Sequence, residues 1–342
     1  MTVPPTLTRT LAAVALLGLL ACSSGEPAGR GVAATEWDTV LVIGTTDAND
    51  TTLISPVHLT VWGDRVVVVE DYAQVVRAFS VHPPGAQLWV AGSKGEGPGE
   101  MIQGHSAFVG ENGRLWVADG AKRKVLEFDD SGTFVREQHR RHLPAGISRP
   151  SAIPGGILWP NFFSTRPYLI TTADGLDVVD SVHVPWPVPE EGDPNDLDLR
   201  AQVRGYSGGW VAALMAAPFF AVMGSEGLAI HRYVVDIPYS FRPGILPFLP
   251  PGVDTARWAS RDVAVAGDEI FLLFGGRPRR RWQSAEETRF VDVYGLDGAY
   301  RRSYHLPFHA SRMDTADGRT FFFITRADGM YPQVIGLRPV VR

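Results

Sequence analysis

Gly110-Glu111-Asn112-Gly113-Arg114-Leu115-Trp116-Val117-Ala118-Asp119, continued through Lys124-Val125-Leu126-Glu127-Phe128-Asp129 and closed by Ser131-Gly132-Thr133-Phe134-Val135, reads as three consecutive strands of one antiparallel sheet. Asn112-Gly113 is a turn, because both residues accept positive φ at little cost, and Asp119-Gly120 ends the strand in the same way. Leu115-Trp116-Val117 is short, apolar and rich in strand formers. Val125, Leu126 and Phe128 make the next strand, Asp129-Asp130-Ser131-Gly132 the next tight turn, and Thr133 to Glu137 the third strand. Turn signals about every eight to twelve residues predict a meander, with no helix between the strands.

The stretch recurs along the chain. Gly63-Asp64-Arg65 leads to Val66-Val67-Val68-Val69, and Pro154-Gly155-Gly156 to Ile157-Leu158-Trp159. Ser225-Glu226-Gly227 leads to Leu228-Ala229-Ile230, Gly267-Asp268-Glu269 to Ile270 through Phe274, and Asp317-Gly318-Arg319 to Phe321 through Ile324. With the opening stretch these are six copies, mostly about 40 to 50 residues apart, the size of one four-stranded blade. The third interval is longer, about 70 residues, and predicts an insertion over 185–218. It holds an acidic loop (Glu190, Glu191, Asp193, Asp196, Asp198), and Trp210 to Ala216 as a short helix or an inner strand. The last copy lacks its outer strand, whereas Thr39-Val40-Leu41-Val42-Ile43 is a strand without a blade. Pairing the two closes a ring and protects edges that would otherwise be exposed. The expected fold is all-β: a six-bladed β-propeller of four-stranded antiparallel blades over residues 36–342, closed by the N-terminal strand.

Two segments carry a family resemblance. Trp116-Val117-Ala118-Asp119 followed by Val125…Phe128 resembles the NHL repeat, with Lys122 where that repeat often has Asn and Lys124 where it often has Arg. Lys94-Gly95-Glu96-Gly97-Pro98-Gly99-Glu100-Met101 resembles the blade-linking Gly-x-Gly-Pro-Gly-Glu-Phe segment of NHL-like propellers and of bacterial six-bladed propeller lipoproteins. The resemblance implies a blade-to-blade turn. A phosphate loop finds no support, because neither Lys-Ser/Thr nor a helix pattern follows the glycines.

Residues 1–21 read as a signal peptide: Arg9, then the apolar run Leu11 to Leu20, too short to span a bilayer as a helix. Leu19-Leu20-Ala21-Cys22 resembles a bacterial lipobox, which implies cleavage before Cys22 and lipid on its thiol. Cys22 is the only cysteine, so disulfides, dithiol redox chemistry and cysteine metal clusters are excluded for the remainder. Residues 22–35 are small, polar and rich in Gly, Pro and Ala, and read as a flexible tether. The expected location is therefore a bacterial cell envelope, with the chain held to the membrane through Cys22. Loss of Arg9 moves the formal charge from −5 to −6, which argues against a nucleic-acid partner.

In a propeller the innermost strands line a central channel, and ligands meet the loops at its mouth. The positions about eight to ten residues before each heading strand, roughly one strand and turn of a blade, hold His58, His105 with Ser106, Arg149, Arg261 with Asp262, and Arg312 with Asp314. One reading is a basic ring that binds an anion, such as a carboxylated glycan, an acidic peptide or a protein surface, through charge-assisted hydrogen bonds. The other is that these arginines pair with Asp262, Asp314 or carbonyls and tie neighbouring blades together. No cofactor is expected. The enzymatic alternative is a Ca²⁺ or other divalent ion near His58 and His105, as resemblance to propeller lactonases and lyases implies. A third reading is a structural subunit of an envelope complex. Arg277 to Arg281, in a loop after Gly275-Gly276, has the composition of a contact to anionic lipid or a partner, or of a solvated loop.

Overall fold

A computed structural model describes residues 31–34, 36–45, 52–139, 149–160, 168–174, 177–187, 199–235, 258–275, 289–327 and 331–340. Twenty-five strands are found there and no helix. β1 (Val32–Ala34) and β2 (Trp37–Ile43) precede the first blade. Blade 1 is β3 (Pro56–Trp62), β4 (Arg65–Glu70), β5 (Val75–Ser80) and β6 (Gln87–Ala91). Blade 2 is β7 (Gly104–Val109), β8 (Leu115–Asp119), β9 (Lys124–Phe128) and β10 (Phe134–His139). Blade 3 is β11 (Ser151–Ile153), β12 (Gly156–Trp159), β13 (Tyr168–Thr171) and β14 (Val178–Val182). Blade 4 is β15 (Ala201–Tyr206), β16 (Gly209–Leu214), β17 (Phe219–Gly224) and β18 (Gly227–Arg232). Blade 5 is β19 (Ser260–Ala266), β20 (Glu269–Phe274), β21 (Phe290–Gly295) and β22 (Tyr300–His305). Blade 6 is β23 (Ala310–Thr315), β24 (Phe321–Ala327), β25 (Tyr331–Pro339) and, from the other end of the chain, β2.

Ring closure is as the sequence predicts. β2 pairs antiparallel with β25, Trp37 opposite Pro339 and Ile43 opposite Val334. Leu41 and Ile43 then pack with Phe322, Ile324 and Val334 of blade 6 and with Leu59, Val66 and Val68 of blade 1. This explains why the second strands are unbroken apolar runs. Val66 to Val69 are all fully buried. Val66 and Val68 face blade 6, while Val67 and Val69 face Ala107, Leu115 and Val117 of blade 2. A strand covered on both faces loses the in–out alternation of a half-solvated sheet.

Three expectations are corrected. The part of the expected insertion from 201 onward is not an insertion, because it supplies both inner strands of blade 4, β15 and β16. Leu228-Ala229-Ile230 belongs to the outermost strand of that blade, not to its second, and the second is β16, behind the turn Ser207-Gly208. Trp210 to Leu214 is thus strand, with Trp210 opposite Gly205 and Met223. The acidic segment 190–198 lies outside the described residues, as do residues 1–30 and 276–288. The tether also ends earlier than predicted. β1 adds to the edge of blade 5 as a parallel fifth strand, Val32 opposite Ser303 and Ala34 opposite Tyr304.

The antiparallel order gives the ring two distinct faces. The hairpins between first and second strands, and between third and fourth, lie on one face, here the hairpin face. The crossings from blade to blade lie on the other, the crossover face. The Gly-rich link after β6 is one such crossing: Lys94 bridges Met101, and the Glu100 carboxylate accepts the Gly97 N–H at 2.7 Å. Gly99 combines φ +77° with the Phe134 ring at 3.1 Å, so that position needs glycine.

Candidate functional site

Four inner strands share one irregularity. The register shifts between Pro56 and His58 in β3, Gly104 and Ser106 in β7, Ser260 and Asp262 in β19, and Ala310 and Arg312 in β23. Each shift is a bulge, which re-aims the side chain beside it. His58, Ser106, Asp262 and Arg312 are the first paired residues after it. In blades with two-residue hairpin turns, His58 and Asp262 stand four residues before the end of the inner strand, and the same count gives Arg149 in blade 3 and Gln202 in blade 4. Every blade therefore gives one polar residue to this layer: His58, Ser106, Arg149, Gln202, Asp262 and Arg312. Two residues further along, Thr60, Ser151, Arg204 and Asp314 form a second layer. His105 and Arg261 are bulge residues, one position before the first layer.

These side chains bind across blade boundaries. Ala107 N–H donates to His58 Nδ1 at 3.3 Å, Gly205 N–H to Ser151 Oγ at 2.9 Å, and Met313 N–H to Asp262 Oδ2 at 3.2 Å. Val61 N–H donates to Asp314 Oδ2 at 2.9 Å, and Thr60 Oγ1 donates to the same oxygen at 3.2 Å. Arg204 lies 3.3 Å from Asp314 Oδ1 and donates through Nε to the Val263 carbonyl at 3.2 Å. Arg312 Nε donates to the Val57 carbonyl at 2.9 Å and its Nη1 to the Ser311 carbonyl at 2.6 Å. Arg149 Nη1 donates to Gln202 Oε1 at 3.2 Å, while its Nε finds no partner among the described residues. The inter-blade ties named as one reading of the sequence are thus present.

They do not balance the charge. Arg261 aside, Arg149, Arg204 and Arg312 stand against Asp262 and Asp314, three cations against two anions, an excess of one among these residues. Burial, with the charges of Arg261 and Arg204 adding and Asp262 opposing, pulls the Arg149 guanidinium down to about 10. Burial and the charge of Arg149 pull Arg312 down to about 9. Both remain cations at neutral pH. Burial, with Arg149, Arg204, Arg312 and His105 adding, holds His58 well below the usual imidazole range, so it is neutral. Burial lifts Asp314 above the ordinary carboxylate range against the pull of Arg204.

The structure brings together all five ring residues read from the sequence, His58, His105, Arg149, Arg261 and Arg312, at the starts of the inner strands. Cys22 lies outside the described residues. Arg204 was missed because blade 4 was misphased, although the turn Ser207-Gly208 before Trp210 was available as a signal. Among the described residues no three His, Cys, Asp or Glu side chains converge as a metal set would. His58 does not fit a divalent ion: its Nδ1 accepts the Ala107 N–H, which leaves the proton of the neutral ring on Nε2, and guanidinium charges surround it. A second cation there would meet repulsion.

The repeat motif has a separate task. Asp119, the last residue of Trp116-Val117-Ala118-Asp119, accepts the N–H groups of Ile102, Gln103, Ala121 and Lys122 at 2.8, 3.2, 3.0 and 3.2 Å. It knots the incoming crossing to the outgoing loop. Glu70 does the same in blade 1 for Ile54 and Ser55. A protein family described as a 6-bladed beta-propeller matches residues 39–148, which include both knots. The human NHL repeat-containing protein 3 is 29% identical over 127 residues, 35% of this chain and 37% of that protein. The chain is a six-bladed β-propeller, and over the matched residues it is similar to NHL-repeat proteins. The chain thus aligns with little more than a third of that human relative. A solved structure from Bacteroides fragilis, of a protein described as exported, is similar at TM-score 0.57 and 14% identity, over 89% of this chain and 95% of that one. The virginiamycin B lyase of Staphylococcus aureus is similar at TM-score 0.50 and 12% identity, over 89% of this chain and all of that one. At such identities these two likenesses concern the fold alone. No helix of the described residues is long and apolar enough to cross a membrane.

Proposed function

We propose that this chain is a lipid-anchored propeller of the bacterial cell envelope that binds an anionic ligand, a carboxylate-bearing glycan or peptide or a protein surface that presents one, at its channel. The observation that carries the reading is Arg149, a buried cation of the ring whose partner among the described residues is the neutral amide of Gln202. Buried cations without counter-charges are costly to the folded state, and an anion that enters the channel relieves that cost. Carboxylates suit guanidinium groups because both are planar and bond in a bidentate manner. The lipobox around Cys22 supports the anchor.

The test is a thermal-shift and calorimetric screen of residues 36–342 with carboxylated sugars, acidic peptides and neutral counterparts. Stabilisation by an anion that is lost in Arg204→Gln supports the reading. Equal response to the neutral counterparts, or an anion response that Arg204→Gln leaves unchanged, overturns it. A second reading has one observation in its favour. Leu88 and Val90 on β6, Val135 on β10, and Val178 and Val179 on β14 are exposed on the outer strands of three consecutive blades. Such a flank suits a subunit of an envelope complex. Crosslinking from these positions in intact cells, with no partner recovered, would dismiss it.

A further inference from the structure

The tether reads as loose in the sequence, yet the structure fastens its end to one particular place. β1 lies parallel to β22, Ser303 N–H donates to the Gly31 carbonyl at 2.9 Å, and Tyr300 Oη lies 3.0 Å from Gly31 N and 3.1 Å from Gly31 O. A strand parallel to β22 enters from the Tyr300 side. That side belongs to the hairpin face: the turn before Tyr300 is tied to the inner hairpin of the same blade by Leu296 N–H to the Asp268 carbonyl at 3.1 Å and by Arg301 to Asp268 at 2.7 Å. The basic layer lies toward the other face, because His58, Asp262 and Arg312 stand near the beginnings of their strands, where the crossings arrive.

We infer that β1 is a strap that turns the hairpin face toward the bilayer and the basic mouth of the channel toward the aqueous compartment. The inference rests on the lipid anchor at Cys22 proposed above. Between Cys22 and the strap remain residues 23–31. Fully extended they reach about 30 Å, and as a flexible chain they average about 16 Å. The inner strands of six or seven residues set a height of about 20 Å between the faces, before loops are added. Turning the crossover face to the bilayer would require the leash to run the full height of the ring, about 20 Å before loops against an average reach of about 16 Å. Without the strap the leash would extend to Glu36 and reach about 50 Å, which permits either face. The hairpin face exposes Asp64, Asp130, Glu226, Asp268, Asp297 and Asp317 against Arg114, Arg301 and Arg319, and is acidic on balance. These carboxylates repel anionic headgroups within a Debye length of about 8 to 10 Å, so the ring hovers on its leash without adhering. The ligand of the basic ring is then a water-borne anion and not a lipid headgroup.

The test uses the full, lipidated chain in phosphatidylcholine vesicles that carry an acceptor dye on their headgroups. Because Cys22 is consumed by lipid, a single donor dye is placed at Glu226→Cys on the hairpin face or at Glu96→Cys on the crossover face. Energy transfer severalfold stronger from position 226 is expected, and Val32→Pro with Ala34→Pro, which removes the strap's N–H groups but leaves β2 to close the ring, should level the two. Equal transfer in the unmodified chain, or stronger transfer from position 96, overturns the strap. Failure of the chain to float with vesicles, or flotation that Cys22→Ser leaves unchanged, overturns the anchor and the orientation with it. The first pair of results leaves the anchor standing, so the two failures are distinguishable.

Discussion

Replacing Arg149 by Met should stabilise the fold and abolish its response to anions. Arg149 is only 9% exposed, and the displacement of its guanidinium from 12.5 to about 10 corresponds to about 3 kcal/mol of unfavourable interaction in the charged form. The sign is fixed by linkage. A base held below its unfolded value burdens the native state at every pH where it is protonated, and at pH 7 Arg149 is protonated in both states. Met has a similar length and no charge. It loses the 3.2 Å bond to Gln202, worth about 1 to 1.5 kcal/mol. The net expectation is a gain of about 1 to 2 kcal/mol, read as a higher urea midpoint at unchanged slope. An anion at a hundred times its Kd would raise the stability of the unmodified domain by about 2.7 kcal/mol and that of the variant by nothing. Loss of 3 kcal/mol or more in Arg149→Met without ligand, on the order expected when a buried ion pair is broken, would refute the argument and make Arg149 an inter-blade tie alone.

His58, neutral in the fold and depressed by burial and its cationic neighbours, gives stability that is present above pH 6.5 and is lost as pH falls below it, at up to about 1.4 kcal/mol per pH unit. Urea titrations between pH 7.5 and 5 should show that slope reduced in His58→Gln, and an unchanged slope would assign it to other groups. Asp119→Ala strands four N–H groups at a half-buried junction and should cost about 1 to 3 kcal/mol, with Asp119→Asn retaining part; a loss under about 0.5 kcal/mol would contradict the knot. Leu41→Ala, which opens a cavity where β2 closes the ring, should cost about 2 to 5 kcal/mol by chemical denaturation, and a near-neutral result would show that closure does not depend on that seam.

Much of the fold was legible because each blade buries its second strand on both faces. That burial writes a short apolar run behind a hairpin turn, as in Val66 to Val69 and Ile270 to Phe274, and the run survives wherever the turn does. Blade 4 broke the rule in two ways. Its outer strand carries the same signature, a Ser-Glu-Gly turn before Leu228, because Leu228 and Ile230 pack against the seam with blade 3. Its second strand follows Tyr206-Ser207-Gly208-Gly209, where the glycines blur the strand's beginning: a Cβ on Gly209 would fall 1.9 Å from the Met223 carbonyl, so the position is glycine for reasons of close approach and not of turn alone. The strap was not legible at all. Val32-Ala33-Ala34 has no periodicity, and its pairing is decided by backbone groups on β22 and by the hydroxyl of Tyr300, neither of which the tether's own composition encodes.

The ring shows why a binding site and a structural seam draw on one set of residues. A propeller's inner strands converge, so polar side chains there meet the backbone of the next blade whether or not a ligand exists. Asp262 and Asp314 are fully accounted for by that role, since each accepts N–H groups from its own strand and from the neighbouring blade. The arginines are not. A seam needs donors for the carbonyls at Val57 and Val263, and a single neutral donor at each would serve without the desolvation of a full charge. Arg149 contacts no carbonyl or carboxylate at hydrogen-bond distance among the described residues; its one partner is the amide of Gln202. A cation held in that way contributes little to the seam, and its charge is the part of the ring that the architecture leaves unexplained. An anionic ligand in the channel would account for it.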